Sequence, residues 1–284
     1  CHYGRTPPCT KAIIEAGITR VVFGCRDPHR HTVETGEQVL KKAGVSCDYC
    51  PVTEMTDFYR YYFYWLKTKT PWLTAKLAVS FDGKIAGANG KPVKITGHEL
   101  DQLTHQRRLY ADGILTTVKT IMADDPQLNV RLNNIVIKKP LFILDSQGDL
   151  PLMARVFATA QSITIFHSRD ADSEKIKNLR DKQVTCVAVD YDQGLDLNAV
   201  KNYLAQLGLH HVWIEAGGIA TTGFLQARLL NEFILYIAPI LLGPQAVRAF
   251  SAVIDFEGCA EEFNVILCRY CEKLCSADTV SIIK

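Results

Sequence analysis

Short apolar runs alternate with stretches of helical spacing along most of the chain. From Cys9, apolar positions at Ala12, Ile13 and Ala16 predict a helix that ends at Gly17, followed by a strand at Val21-Val22-Phe23. A second helix is expected from Val33 to Lys42, closed by Gly44, and a short extended piece at Val45-Ser46-Cys47. Asp57 to Thr70 is dense in aromatic residues at helical spacing and reads as an amphipathic helix packed between two domains. The polar run ending at Pro71 then reads as a linker, dividing the chain into 1–70 and 71–284.

From Trp72 the pattern becomes a series of strands, at Leu73–Ser80, Ala111–Leu115, Leu141–Leu144, Ile163–Phe166, Val184–Val189 and His211–Ile214. Helical patterns fall at 97–110, 173–180 and 195–207. Strands alternating with helices predict an α/β architecture with a mostly parallel sheet and crossover helices. Glu215 to Gly223 is expected as a loop before a helix over 224–230. Two late strands, Glu232–Ala238 and Val265–Arg269, have no helix between them and are expected to form an antiparallel edge.

Composition narrows the function classes. The chain has 284 residues, with 48% hydrophobic and 22% charged, an ordinary globular balance. No apolar run reaches the roughly eighteen residues a spanning helix needs, so no membrane partner is expected. The net charge of +2 lacks the basic excess of a nucleic-acid binder. The opening residues do not read as a secretory signal, and ten cysteines then point to a reducing, cytoplasmic setting.

Six places could carry chemistry. In Ala123-Asp124-Asp125-Pro126-Gln127-Leu128-Asn129-Val130-Arg131, the proline forces an extended or turn conformation before it. Asp124 and Arg131 are therefore expected on a loop at a sheet edge, either as site residues or in a solvated acidic turn. Lys76 lies inside an apolar strand, where a lysine needs an anionic partner or a task. Gly217-Gly218, between a strand and a helix, would let backbone approach a phosphate. Cys9 opens a helix, which favours its thiolate as a metal ligand, although such a cysteine is also a small buried hydrophobe. Cys47-x-x-Cys50 and the group Cys268, Cys271 and Cys275 leave zinc or redox chemistry open.

The chain resembles the bifunctional riboflavin-biosynthesis deaminase–reductases. Lys76-Leu77-Ala78-Val79-Ser80-Phe81-Asp82-Gly83, Ala123-Asp124-Asp125-Pro126 with Leu128 and Arg131, Asp145-Ser146, Glu215-Ala216-Gly217-Gly218 and Tyr236 to Gly243 occur in that family's order and spacing. These motifs are similar to the reductase half, which implies a dihydrofolate-reductase-like domain using NADPH. His2-Tyr3-Gly4-Arg5-Thr6-Pro7-Pro8-Cys9 looks like the end of the zinc signature of the deaminase half, with Cys9 at its third ligand. Residues 1–70 would then be the C-terminal part of a cytidine-deaminase-like α/β domain. Zinc is expected only in a complete deaminase domain, because the family's His-Ala-Glu segment is absent from this sequence.

The implied reaction reduces the ribosyl chain of a phosphoribosylaminouracil to a ribityl chain. By resemblance, Lys76, Asp124 and Glu215 are catalytic. Arg108, Leu128, Arg131 and Glu215 would hold the substrate, with the two arginines as a phosphate clamp. Ala78, Thr120, Asp124, Ser146, Gly217, Gly218, Ile219, Ala220, Thr221, Thr222 and Gly223 would hold the cofactor, and Thr116-Thr117 could reach its 2′-phosphate. Arg107 is expected to be solvated. The family commonly has Ser-x-Trp-Ile-Thr where this chain has Pro92-Val93-Lys94-Ile95-Thr96, so a hydroxyl is lost and Lys94 could reach a phosphate instead. The family's habit implies a homo-oligomer. Open alternatives are a fragment of a full deaminase–reductase, a reductase with a degenerate deaminase, a non-catalytic nucleotide-binding relic, and a related reductase of another substrate.

Overall fold

A computed structural model describes residues 7–26, 35–254, 260–267 and 282–283. Contacts divide the chain into two compact units, Cys1–Lys69 and Thr70–Lys284.

The first unit runs α1 (Cys9–Glu15), β1 (Arg20–Phe23), α2 (Gly36–Lys42), β2 (Ser46–Tyr49) and α3 (Thr53–Thr68). β1 and β2 pair in parallel. α2 starts at Gly36 because Thr35 forms a capping box with Gln38, each side chain answering the other's backbone amide. The aromatic residues of α3 pair along the helix, with Tyr59 stacked on Phe63 at 5.6 Å. Lys69, in the left-handed region, ends it.

The second unit continues with β3 (Trp72–Ser80), β4 (Lys84–Ala88), α4 (His98–Tyr110), β5 (Gly113–Thr117), α5 (Val118–Asp124), β6 (Val130–Leu132), β7 (Ile135–Ile137) and β8 (Pro140–Leu144). Then follow α6 (Val156–Thr159), β9 (Ser162–Ser168), α7 (Ser173–Asp181), β10 (Thr185–Val189), α8 (Leu197–Gln206), β11 (His211–Ile214), α9 (Gly218–Gln226), β12 (Glu232–Ala238), β13 (Ala246–Arg248), β14 (Glu262–Leu267) and β15 (Ile282–Ile283). One nine-stranded sheet has the order β10-β9-β8-β5-β11-β3-β12-β14-β15. Every pairing in it is parallel except β14 with β15. The mostly parallel α/β sheet expected from the sequence is therefore present.

The sheet is covered on both faces, as parallel sheets are. Along β3, Leu73, Ala75, Leu77 and Val79 belong to one apolar cluster, together with Val200 and Leu204 of α8 and Phe224 and Leu225 of α9. Ile114, Ile143, Trp213 and Tyr236 face the other way and pack with Leu100 of α4, Ile121 of α5 and Ile176 of α7. Strand alternation places Lys76 on this second face, between Thr74 and Ala78. Among the described residues no helix is long and apolar enough to cross a membrane.

Three local expectations are corrected. Asp124 ends the helix Val118–Asp124 rather than lying on a loop, because Thr117 accepts a hydrogen bond from the Thr120 amide and caps that helix. The helix after β11 begins at Gly218, not Phe224. β12 and β14 pair in parallel, and the antiparallel edge is displaced to β14–β15. Because these strands are parallel, the connection over 239–261 returns the chain to the same end of the sheet, and its described residues form no helix.

One buried polar chain crosses the sheet. The Thr74 hydroxyl donates to Glu232 Oε2 at 3.0 Å, so the His211 Nε2–H donates to Thr74 Oγ1, also at 3.0 Å. Asn264 donates to the other Glu232 oxygen. Arg107, expected to be solvated, lies 4.0 Å from Glu232 with a partly buried side chain. Burial lowers the His211 pKa to about 4. An imidazole kept neutral in the fold but titrating near 6.5 when unfolded contributes stability above about pH 6.5 that is lost as pH falls towards 4. Between about pH 7 and pH 4.5, denaturant melts should show the wild type losing about 2–3 kcal/mol more than His211→Gln.

Candidate active site

A cleft of about 1000 Å³ opens where the carboxyl ends of β3, β5, β8 and β11 meet the start of α9. This is where open α/β sheets bind ligands. Lys76, Ala78, Thr120, Asp124, Ser146, Glu215, Gly217, Gly218, Ile219, Ala220 and Gly223 all line it. Arg108, Leu128, Arg131, Thr221 and Thr222 are not among its lining residues.

The two glycines at the start of α9 have different reasons. A Cβ on Gly218 would lie 2.0 Å from the Ala249 carbonyl oxygen, so packing alone demands glycine there. A Cβ on Gly217, the N-cap, would meet no protein atom within 4 Å. Its bareness leaves room in the cleft, beside the free amides of a nine-residue helix. Thr221 and Thr222 turn inward. Thr221 is fully buried and donates to Ala216 O, and Thr222 Oγ1 accepts from the Ser251 amide. Their expected cofactor contact is corrected to a packing role, because helical rotation carries them away from the cleft.

Ser146 is held at the cleft by its neighbour. Asp145, fully buried, accepts from the Asp149 and Leu150 amides at 2.9 Å each and closes the turn after β8. Thr116 is also fully buried and donates to Glu215 O at 2.7 Å, so it ties β5 to the end of β11 and cannot reach a phosphate. Thr117 lines the cleft while capping α5. Lys94 pairs with Asp101 at 3.3 Å on the surface rather than reaching towards a phosphate.

The centre of the site is a buried ion pair that sequence reading did not find. Arg108, 8% exposed, places Nε 2.5 Å from Glu215 Oε1 and Nη2 2.9 Å from Oε2. Its Nη1 donates to Asn129 O at 2.8 Å, and the Trp213 indole N–H donates to Glu215 Oε1 at 2.7 Å. Arg108 was expected as an open phosphate clamp. Each of its three guanidinium nitrogens is instead hydrogen-bonded within the protein, because a cation buried this deeply must be paired. Burial pushes the Glu215 carboxyl up, but the Arg108 charge and hydrogen bonds outweigh it and hold it at about 2. Lys76 adds a smaller attraction in the same direction. Its ammonium stands 5.1 Å from the centre of the Tyr236 ring.

Asp124 ends α5 and faces the cleft, where burial raises its pKa. Asp125 turns away and accepts from the Arg155 amide at 2.9 Å. Leu128, 3% exposed with φ +45°, sits in the core. Arg131 is exposed on β6 rather than on a loop, and donates to Asn129 Oδ1 and Gln127 Oε1. Its pKa is lowered by burial first and then by the Arg108 and Arg155 charges. Among the described residues it has no carboxylate partner in an ion pair. Lys119, Tyr191 and Arg248 also line the cleft. Nothing in their local sequence signals this, since packing against distant elements brings them there.

Cys9 is exposed at the start of α1. Among the described residues no three His, Cys, Asp or Glu side chains gather as a metal site. Cys47 and Cys50 are free thiols, and Cys268, Cys271 and Cys275 lie outside the described residues.

A parallel sheet whose carboxyl-end cleft joins a glycine-capped helix start to a lysine, a raised aspartate and a clamped glutamate is the arrangement of a dihydrofolate-reductase-like, nucleotide-dependent reductase. Comparison with known proteins makes the assignment specific: residues 71–257 match the RibD C-terminal domain, and the chain belongs to that family. It is 32% identical over 244 residues to the riboflavin biosynthesis protein RibD of Aquifex aeolicus, covering 85% of this chain and 67% of that one. The structure of Acinetobacter baumannii RibD superposes with a TM-score of 0.75 at 32% identity, covering 90% of this chain and 70% of that one. The deaminase/5-amino-6-(5-phosphoribosylamino)uracil reductase structure from Thermotoga maritima gives the same TM-score and coverage at 25% identity. The chain spans about two thirds of the length of these relatives.

Two outcomes follow from the site. Arg108→Met should lower stability by about 3–5 kcal/mol, because it strands the Glu215 carboxylate, while Arg108→Met with Glu215→Leu should recover most of that loss in a denaturant melt. Gly218→Ala should cost about 1–3 kcal/mol by the same measurement, whereas Gly217→Ala should melt like the wild type.

Proposed function

We propose that this chain reduces 5-amino-6-(5-phosphoribosylamino)uracil to its ribitylamino product with NADPH. The observation that carries the reading is the convergence of Lys76, Asp124, Glu215 and the α9 start on one cleft. The residues fit the cofactor. Amides at Gly218 and Ile219 would meet its diphosphate over the bare Gly217, with Ala78, Thr120 and Ser146 along its length. When bound, NADPH supplies a hydride to the sugar C1.

The protein's own groups supply the protons and the grip. Reduction at C1 breaks the bond to the ring oxygen, which must end as a hydroxyl. A proton donor is therefore needed beside it. Lys76 is a cation lining the cleft, and its ammonium can donate to that oxygen. Asp124, with its raised pKa, is suited to pass a proton on. Glu215 is a fixed acceptor for substrate hydroxyls, its orientation set by Arg108 and Trp213. Arg131, crowded by other arginines and lacking a described carboxylate partner, is the anion clamp for the substrate phosphate. Arg108 supports that clamp through Asn129 rather than forming half of it. The reading places the enzyme in the cytoplasm as a homo-oligomer, with residues 1–70 as part of a deaminase-like domain.

Substrate-dependent loss of the NADPH near-ultraviolet absorbance tests the proposal. Lys76→Met should lower kcat by about 10²–10⁴-fold while NADPH still binds. Tight NADPH binding with no turnover of this substrate by the wild type would overturn it and favour a non-catalytic binding protein.

A further inference from the structure

The phosphate clamp proposed above rests on where Arg131 is held, and one side chain not yet assigned a role holds it. His105 lies one helical turn before Arg108 on α4 and is 9% exposed. Its Nδ1 accepts the backbone N–H of Arg131 at 3.2 Å. Arg108 grips Asn129 O at 2.8 Å from the same face of the helix. α4 therefore fastens the bend at Asn129 and Arg131 of β6 with two side chains one turn apart.

We infer that His105 is a positioning residue: as a neutral imidazole protonated on Nε2, it sets the β6 backbone so that the Arg131 guanidinium meets the substrate phosphate. An imidazole carrying its proton on Nδ1 would turn a donor towards an amide donor. Its surroundings keep it neutral. Burial lowers its pKa first, then the Arg108 and Arg131 charges, against smaller opposing effects from Glu215 and the Asn129 carbonyl. Arg131 in turn donates to Asn129 Oδ1 at 2.5 Å, so a backbone fixed at both residues also fixes the direction of the side chain.

The inference rests on the reading of Arg131 as a phosphate clamp, and the test separates the two. Inorganic phosphate and ribose 5-phosphate are titrated by ³¹P NMR into the whole chain and into Arg131→Ala, His105→Leu, His105→Asn and His105→Gln. The asparagine oxygen takes the place of Nδ1, whereas the glutamine amide reaches the place of Nε2. Arg131→Ala should abolish binding. His105→Leu and His105→Gln should weaken it about three- to tenfold, and His105→Asn should restore it to within about twofold. NADPH affinity should not change in the His105 variants, because His105 does not line the cleft. With turnover as the readout, KM for substrate should rise while kcat holds. ¹⁵N shifts should show Nδ1 unprotonated at neutral pH. Phosphate affinity lost in Arg131→Ala but kept in both His105→Leu and His105→Gln, or a protonated Nδ1, overturns the role of His105. Affinity unchanged in Arg131→Ala overturns the clamp itself, and this inference with it. If His105→Leu does not fold, the asparagine–glutamine contrast still decides.

Discussion

The site depends on a single buried ion pair. Arg108 comes from a helix on one face of the sheet and Glu215 from the end of a central strand, and their side chains are only 10% and 15% exposed. Neither charge could be tolerated there alone. Once paired, they fix three things together: the carboxylate at the cleft floor, the register of α4 against β11, and through Asn129 O the start of β6. Trp213 completes the frame by donating its indole N–H to the same carboxylate from within the core. The rigidity of the reacting end of the cleft is thus inherited from the hydrophobic interior, which is the usual route to pre-organisation.

The end of the cleft at α9 is built differently. There the shape comes from what is missing. Gly218 is bare so that α9 can lie against the Ala249 carbonyl, and Gly217 is bare towards open space. Asp145 spends its carboxylate on two amides of its own turn and presents Ser146 by doing so. Backbone and small side chains line the cleft here, while Lys76, Asp124 and Glu215 bring long charged side chains to it.

Much of this was legible in the chain. The apolar runs at 141–144, 163–166 and 211–214 became parallel strands because runs bounded by turn residues and followed by helical spacing have few other solutions. Lys76 in an apolar strand and Asp124 before a proline marked two groups that do line the cleft. What stayed hidden depended on partners far away in sequence. Arg108 and Glu215 are 107 residues apart, and nothing near either one names the other. Gly217-Gly218 looks like a loop by propensity, yet packing on Ala249 makes Gly218 the first helical residue. A missing crossover helix usually means a hairpin, yet β12 and β14 pair in parallel across the long connection over 239–261.

The two-point fastening of 129 and 131 to α4 also bears on how the protein assembles. Side chains alternate along an extended segment, so a slip of one residue would turn the Arg131 guanidinium to the opposite side. The β6–β7 hairpin has only three residues in each strand, and all three of β7 are exposed, so its own pairing carries little information about register. The helix supplies what the hairpin lacks. A slipped segment would forfeit the Arg108 and His105 bonds together, leaving a buried guanidinium and a buried imidazole short of partners. Misassembly at this position therefore announces itself energetically inside the core, and the edge that carries Arg131 is checked by the packing of α4 as the chain folds.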